Sequence, residues 1–148
     1  MPSLAVAWTQ EVCLRDEAEE ALRDIDCLSG LLSQAEKQAC RRLATEKRRV
    51  DWLSGRLAAK RALAARLNAA PRDIEILNDP SWRPYFPLPA APSFSITHTA
   101  AGGLCAVGAG SSPIGADWET IAARGPDVLA FYTHTHERTP QILASAEA

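Results

Sequence analysis

From Ser33 to Leu67 the chain keeps a helical periodicity without a single proline, and no other feature restricts its fold as much. The stretch opens on a capping box: the Ser33 hydroxyl and the Glu36 carboxylate can reciprocally satisfy the first free N–H groups of a helix. It is too long for one unbroken helix of a globular domain, so a junction is expected near Thr45, giving two basic helices. In the second, Val50, Leu53, Leu57, Ala64 and Leu67 fall on one apolar stripe at about 100° per residue. On either side the pattern changes. Leu4 to Trp8 reads as a short strand. Leu14, Ala18, Ala21, Leu22, Ile25 and Leu28 return at helical spacing, with Gly30 as a stop. After Pro71, Asp73 to Leu77 reads as a strand with Ile74 and Ile76 on one face. Pro80 to Pro92 is too rich in proline for anything but a connection. Phe94 to Thr99 alternates, and Leu104 to Ala109 with Ile114 to Trp118 reads as a β-hairpin closed by Gly110 to Pro113.

The 148 residues carry 47% hydrophobic and 23% charged side chains and a net charge of −2, a balance that belongs to one folded domain and excludes low-complexity or collagen-like chains. No apolar run reaches the roughly 18 residues of a membrane span, and Met1 to Gln10 lacks the basic region of a secretory signal. The four cysteines form no C-x-x-C pair, so free thiols and a cytoplasmic location are expected. The charge is unevenly spread. Ten of the sixteen basic residues lie between Lys37 and Arg66, opposed there only by Glu46 and Asp51, whereas Glu11 to Asp26 is mostly acidic. Such a cationic stretch is either a solvated helix face or the seat of a specific anionic partner. Lys60 falls within the apolar stripe and Arg56 flanks it one turn earlier. Their stems either snorkel around the core or serve a bound anion.

Four constellations could carry chemistry. In Ile114-Gly-Ala-Asp-Trp-Glu119 an extended backbone puts Asp117 and Glu119 on one face and Ile114, Ala116 and Trp118 on the other. Paired carboxylates suit a solvated surface, or a magnesium ion that completes its shell with water and phosphate oxygens. In Phe94-Ser-Ile-Thr-His98-Thr99, the histidine ends a strand beside hydroxyls, as a structural group or as a phosphate ligand or acid–base group. Trp82-Arg-Pro-Tyr85 sets a guanidinium among aromatics on a proline-stiffened loop, where arginine suits phosphate and purine stacking. His134-Thr-His136-Glu137 has the H-x-H spacing of a zinc site but no third ligand at a matching spacing. A P-loop, a G-x-G-x-x-G and a G-x-S-x-G are all missing from the sequence.

The order of these pieces carries more information than any one of them. Leu31-Leu-Ser-Gln-Ala-Glu36, Arg41-Arg42, Trp52-Leu-Ser-Gly-Arg-Leu-Ala-Ala-Lys60, Trp82-Arg-Pro-Tyr85, Phe94-Ser-Ile-Thr-His98 and Ile114-Gly-Ala-Asp-Trp-Glu119 form a series that resembles the 4′-phosphopantetheinyl transferases of the large, two-lobed class. The resemblance covers Leu4 to Arg124. It implies an α+β fold in which each lobe sets a small antiparallel sheet against a long helix. Residues 1–112 would form the N-terminal lobe and 113–148 only the start of a second, pseudo-symmetric one, since no W-x-x-K-E segment follows.

The same resemblance implies transfer of the phosphopantetheine arm of coenzyme A to a serine of an acyl or peptidyl carrier protein, with Mg2+. Asp117 and Glu119 match the metal ligands. Thr97 and His98 match the pair on the nucleotide's phosphates, with Thr97 in place of the commoner serine. Arg83 matches the basic residue near the adenine end, although Trp82 stands where glycine is frequent. Arg56 and Lys60 fall in the helix motif beside the phosphate site, joined by Arg48 and Arg49. The catalytic set expected is Asp117, Glu119 and His98. The alternative is a catalytically incomplete module that binds coenzyme A or a carrier protein. Neither nucleic acid nor membrane is expected as a partner, and an uncovered lobe face would favour self-association.

Overall fold

The computed structural model describes residues 9–122. Residues up to Trp118 form one compact unit, and Glu119 opens a second. The elements are β1 (Thr9–Leu14), α1 (Arg15–Arg23), α2 (Gln34–Arg41), α3 (Glu46–Leu67), β2 (Leu77–Asn78), β3 (Pro84–Tyr85), β4 (Phe94–Thr99) and β5 (Gly102–Val107). The architecture is α+β, as the resemblance implied. A three-stranded antiparallel sheet in the order β1-β5-β4 lies against the long helix α3, and β2 and β3 form a separate two-stranded hairpin. Among the described residues no helix is long and apolar enough to cross a membrane.

The helical stretch breaks where expected. The Ser33 Oγ accepts from the Glu36 N–H and the Glu36 carboxylate accepts from the Ser33 N–H, which starts α2. The Thr45 Oγ1 accepts from the Arg48 N–H and starts α3. That helix ends at Asn68 in a left-handed conformation (φ 52°), which asparagine tolerates better than most residues. Val50, Leu53, Leu57 and Ala64 of the stripe are buried, with Ala58, Ala62 and Leu63 widening the apolar face.

Strand pairing sorts the sheet into two faces, because residues opposite each other in an antiparallel ladder point the same way. Cys13, Gly103 and His98 form one cross-strand row, and Glu11, Cys105 and Ile96 the next. Buried Cys13, Cys105 and Val107 place these rows on the side of α3. Val12, Leu104 and Thr97 form a row on the opposite face. Two glycines let α3 lie directly on β5. A Cβ at Gly103 would stand 2.3 Å from the Gly55 backbone nitrogen, and one at Gly55 would stand 2.7 Å from the Ile96 Cγ2. Both distances are far inside van der Waals contact: at Gly103 strand backbone meets helix backbone, and at Gly55 the missing Cβ makes room for the Ile96 side chain of β4.

Several expectations differ from the structure. The strand expected over Asp73–Leu77 begins only at Leu77, because the Ile74 carbonyl and both backbone polar groups of Ile76 are taken by Lys60, Glu36 and Arg56 side chains, and the connection Pro80–Pro92 contains the short strand β3. The strand expected at residues 4–8 lies outside the described residues. The observed β1 spans Thr9–Leu14, so Leu14 ends a strand instead of starting a helix. The helix after it stops at Arg23, and only a short 3-10 turn, Cys27–Gly30, carries the pattern on towards Gly30. The hairpin of Leu104–Ala109 with Ile114–Trp118 does not form, since both edges of β5 are already taken by β1 and β4. Instead the chain after β5 turns along the start of β4. There the Gly108 N–H donates to the Ser93 carbonyl, the Ser93 N–H to the Gly110 carbonyl, and the Ala116 N–H to the Ser95 Oγ at 3.1 Å.

Candidate functional site

A cleft of about 420 Å³ opens between α3, the end of β4 and the β2–β3 hairpin. It gathers three of the sequence-expected residues, Arg48, Arg56 and His98. It also holds Asp51, Trp52 and Asn78, to which the sequence assigned no role. Arg48, Asp51, Trp52 and Arg56 come from successive turns of α3, while His98 reaches the same space because it shares the helix-side row with Gly103. The crossing at Gly55 and Gly103 brings helix and strand close enough for both to line one cavity.

Arg56 is fixed on every side. Its Nη1 donates to the Ile76 carbonyl at 2.6 Å and its Nη2 to the Asn78 Oδ1 at 3.0 Å, while its guanidinium sits 4.6 Å from the Trp52 ring centroid. Burial pushes its pKa down to about 10, against the pull of Glu36, so it remains cationic at neutral pH. Asp51, 10% exposed, takes Arg15 Nη1 at 3.2 Å and Lys47 Nζ at 2.6 Å. Burial alone would raise its carboxyl, but the Lys47 and Arg15 hydrogen bonds outweigh that and hold it below its ordinary value. Asp51 is therefore an anion that is already paired.

The other expected residues are distributed differently. Lys60 is 1% exposed, and its ammonium serves the Glu36 carboxylate at 2.8 Å and the Ile74 carbonyl, so it lies beneath the cleft instead of in it. Burial lowers its pKa, opposed by Glu36. Arg49 donates to the Leu43 carbonyl at 2.9 Å and lines a separate cavity with Glu19, Arg23 and Arg41. Arg83 is exposed, 3.4 Å from Asp79 across the hairpin turn, next to Pro84, which does line the cleft. Before it, Trp82 has φ 62° and is 83% exposed. A left-handed backbone comes freely only to glycine, and here tryptophan adopts it.

Thr97 points to the far face of the sheet, opposite Leu104. On that face a second cavity of about 420 Å³ is lined by Gln10, Leu104, Ala106, Ile114, Gly115, Ala116 and Asp117. Asp117 is exposed, and exposure alternates from Ile114 to Glu119 as the extended reading required. Glu119 is exposed as well and is the first residue of the second unit. Among the described residues no group of three or more His, Cys, Asp or Glu side chains could enclose a metal ion. Magnesium makes a smaller demand, one or two carboxylates with water and phosphate supplying the rest, and the expected ligands Asp117 and Glu119 are exposed carboxylates. His134, His136 and Glu137 lie outside the described residues. Burial pushes the Cys13 and Cys105 thiols up to about 12, so neither serves as a nucleophile at neutral pH.

No family model matches this sequence, and no curated protein matches it. Solved structures share its fold. A holo-(acyl-carrier-protein) synthase from Bacillus anthracis in complex with CoA (3′,5′-ADP) is 22% identical with a TM-score of 0.60, over 72% of this chain and 97% of that one. The Helicobacter pylori holo-[acyl-carrier-protein] synthase in complex with coenzyme A is 19% identical, TM-score 0.56, over 68% and 97%. The Neisseria meningitidis enzyme is 16% identical, TM-score 0.57, over 68% and 94%. At these identities the likeness is one of fold. Each neighbour is matched almost end to end by part of this chain, and the two-lobed class gains no separate support from them.

Proposed function

We propose that the protein binds coenzyme A and transfers its 4′-phosphopantetheine arm to a serine of an acyl or peptidyl carrier protein. The observation that carries this is the convergence of Arg48, Arg56 and His98 on one cleft of a fold shared with enzymes crystallised with CoA. The cleft holds the nucleotide end of coenzyme A. Arg48 and His98 face its phosphates, Arg56 supplies a fixed positive potential behind them, and Arg83 lies at the rim towards the adenine.

The carrier serine oxygen attacks the phosphorus that bears the pantetheine. A new P–O bond forms, the bond to the bridging pyrophosphate oxygen breaks, and 3′,5′-ADP leaves with the electron pair. Negative charge accumulates on that leaving group, and preorganised cations are worth most where charge develops. A carboxylate takes the serine proton; Asp117 lies on the sheet face opposite the cleft, so the expected pair, Asp117 and Glu119, would come from another copy of the chain. Mg2+ held by Asp117 and Glu119 would supply further charge neutralisation on the diphosphate. The activity belongs to the cytoplasm, where coenzyme A and carrier proteins meet.

A second reading, a binding module without turnover, has one observation in its favour. His98 and Asp117 line cavities on opposite faces of the β1-β5-β4 sheet. Self-association through the far face, where Val12 and Leu14 are 38% and 54% exposed, is a route by which another copy would bring carboxylates to the cleft.

Incubation with coenzyme A, Mg2+ and a panel of apo carrier proteins, read by mass spectrometry, tests these readings. A carrier gaining one phosphopantetheinyl group supports the transferase. Binding of 3′,5′-ADP without any such gain supports the module, and binding of neither removes both.

A further inference from the structure

Beneath the cleft lies a cluster of charged side chains of which only Arg56 reaches the cleft itself. Glu36, on α2, is 2% exposed. One of its oxygens accepts from Lys60 Nζ at 2.8 Å and from the Ser33 N–H at 2.9 Å. The other accepts from the Ile76 N–H at 3.1 Å and lies 4.0 Å from Arg56 Nη1. Lys60 also donates to the Ile74 carbonyl, and Arg56 to the Ile76 carbonyl. Three backbone groups just before the β2–β3 ladder, the Ile74 C=O and both polar groups of Ile76, are thus met by charged side chains from α2 and α3. The contacts continue outward. Arg56 holds the Asn78 Oδ1, and the Asn78 Nδ2 donates to the Trp82 carbonyl at 2.8 Å, so one connected path runs from Glu36 to the hairpin tip.

Burying ions is a poor way to gain stability, because apolar side chains of the same volume do as well or better. What ions offer here is direction: each can meet only a group placed at the right distance and angle. The hairpin needs that, since its strands are two residues each and such a ribbon is marginal alone.

We infer that Glu36 is a positioning residue. Through Lys60 and Arg56 it fixes the Ile74–Asn78 segment, and so holds the hairpin wall of the cleft at the separation from α3 that a ligand meets. The tether stands on geometry alone, while the statement that the wall serves a nucleotide rests on the function proposed above.

The test is amide hydrogen exchange combined with titration of 3′,5′-ADP, on wild type, on Glu36→Gln and on the double variant Glu36→Met/Lys60→Met. The Asp79 and Trp82 amides, bonded to the Arg83 and Asp79 carbonyls, report on the hairpin, and the β4–β5 ladder reports on the rest. In Glu36→Gln the hairpin amides should exchange at least about tenfold faster with the ladder unchanged, and affinity should fall about tenfold. The double variant removes one positive and one negative charge together, so it should regain thermal stability relative to Glu36→Gln while the hairpin stays loose and affinity stays low. A role in stability alone would recover both.

Hairpin exchange at the wild-type rate in Glu36→Gln overturns the proposal, as does faster exchange with unchanged affinity. Recovery of affinity in the double variant does so too. Should Glu36→Gln fail to fold, Arg56→Lys decides by hairpin exchange alone, since it keeps the charge but loses the fork between Ile76 and Asn78. If the wild type itself fails to bind 3′,5′-ADP, the nucleotide reading falls, and the exchange rates alone judge the tether.

Discussion

The Arg56 guanidinium lies 4.6 Å from the centroid of the Trp52 ring, one turn earlier on α3, and two further hydrogen bonds pin that guanidinium to Ile76 and Asn78. The indole is therefore braced on one face while it lines the cleft. Desolvated cation–π pairs contribute about 2 kcal/mol, and truncating the ring also removes its packing. Trp52→Ala should lower the melting temperature and weaken 3′,5′-ADP binding by about tenfold, whereas Trp52→Phe, which keeps a ring face, should retain most of both. Thermal denaturation and isothermal titration check this.

Asp117 and His98 line cavities on opposite faces of the β1-β5-β4 sheet, so in the transferase reading the nucleotide lies with His98 and the carboxylate is brought by another copy. His98→Ala should weaken 3′,5′-ADP binding. Asp117→Asn should leave that affinity within about twofold yet reduce transfer to a carrier by about a hundredfold or more, because the lost interaction is made chiefly in the transition state. Measuring Kd and kcat side by side separates them. Equal loss of binding in both variants would contradict the division.

The acid limb of the stability curve has a named origin. Asp51 and Glu17 are both held below their ordinary values of 3.8 and 4.5. For Asp51 the Lys47 and Arg15 bonds overcome burial, and for Glu17 the Arg61 hydrogen bond dominates. A carboxyl with a lowered folded-state pKa contributes fully above its unfolded value, and that contribution is lost as pH falls through the folded one. Asp51→Asn should cost about 1 kcal/mol at pH 7, with the gap to wild type closing below about pH 4. Urea unfolding across pH 2.5–7 reads it directly.

Gly103→Ala should be among the most damaging single substitutions. The new methyl would stand 2.3 Å from the Gly55 nitrogen and 2.5 Å from the Ser54 carbonyl carbon, which are helix backbone and cannot rotate away, so a loss above about 3 kcal/mol is expected. Gly110→Ala, with nothing within 4 Å of the added carbon, should stay within about 0.5 kcal/mol of wild type. Denaturant midpoints of the pair check the contrast.

What was legible in the sequence was local. The Ser33 box, the Thr45 junction, the alternation of Phe94–Thr99 and the two-sided pattern of Ile114–Glu119 depend on neighbours a few residues apart, and the structure reproduces each. The failures are tertiary. Nothing near Ile114 announces that both edges of β5 are already occupied. Lys60 and Arg56 share one helix face with similar chemistry, yet Glu36 and Ile74 claim the first while the second reaches the cleft. Asn78 carries no periodic or motif signal, and its part comes from a guanidinium twenty-two positions earlier. Trp52 does carry a sequence signal: an aromatic four residues before an arginine on a helix is the spacing at which the two side chains meet.

The contact of Gly55 with Gly103 has a mechanical corollary. With no side-chain cushion between them, helix and strand meet at backbone distance, so this jaw of the cleft offers no side chain at the joint that could be trimmed or enlarged. The opposite jaw, the short ribbon tied down through Asn78, meets the cleft with side chains that can be exchanged without touching helix backbone. Attempts to re-tailor the cavity for other molecules would do best to vary that ribbon and leave the joint alone.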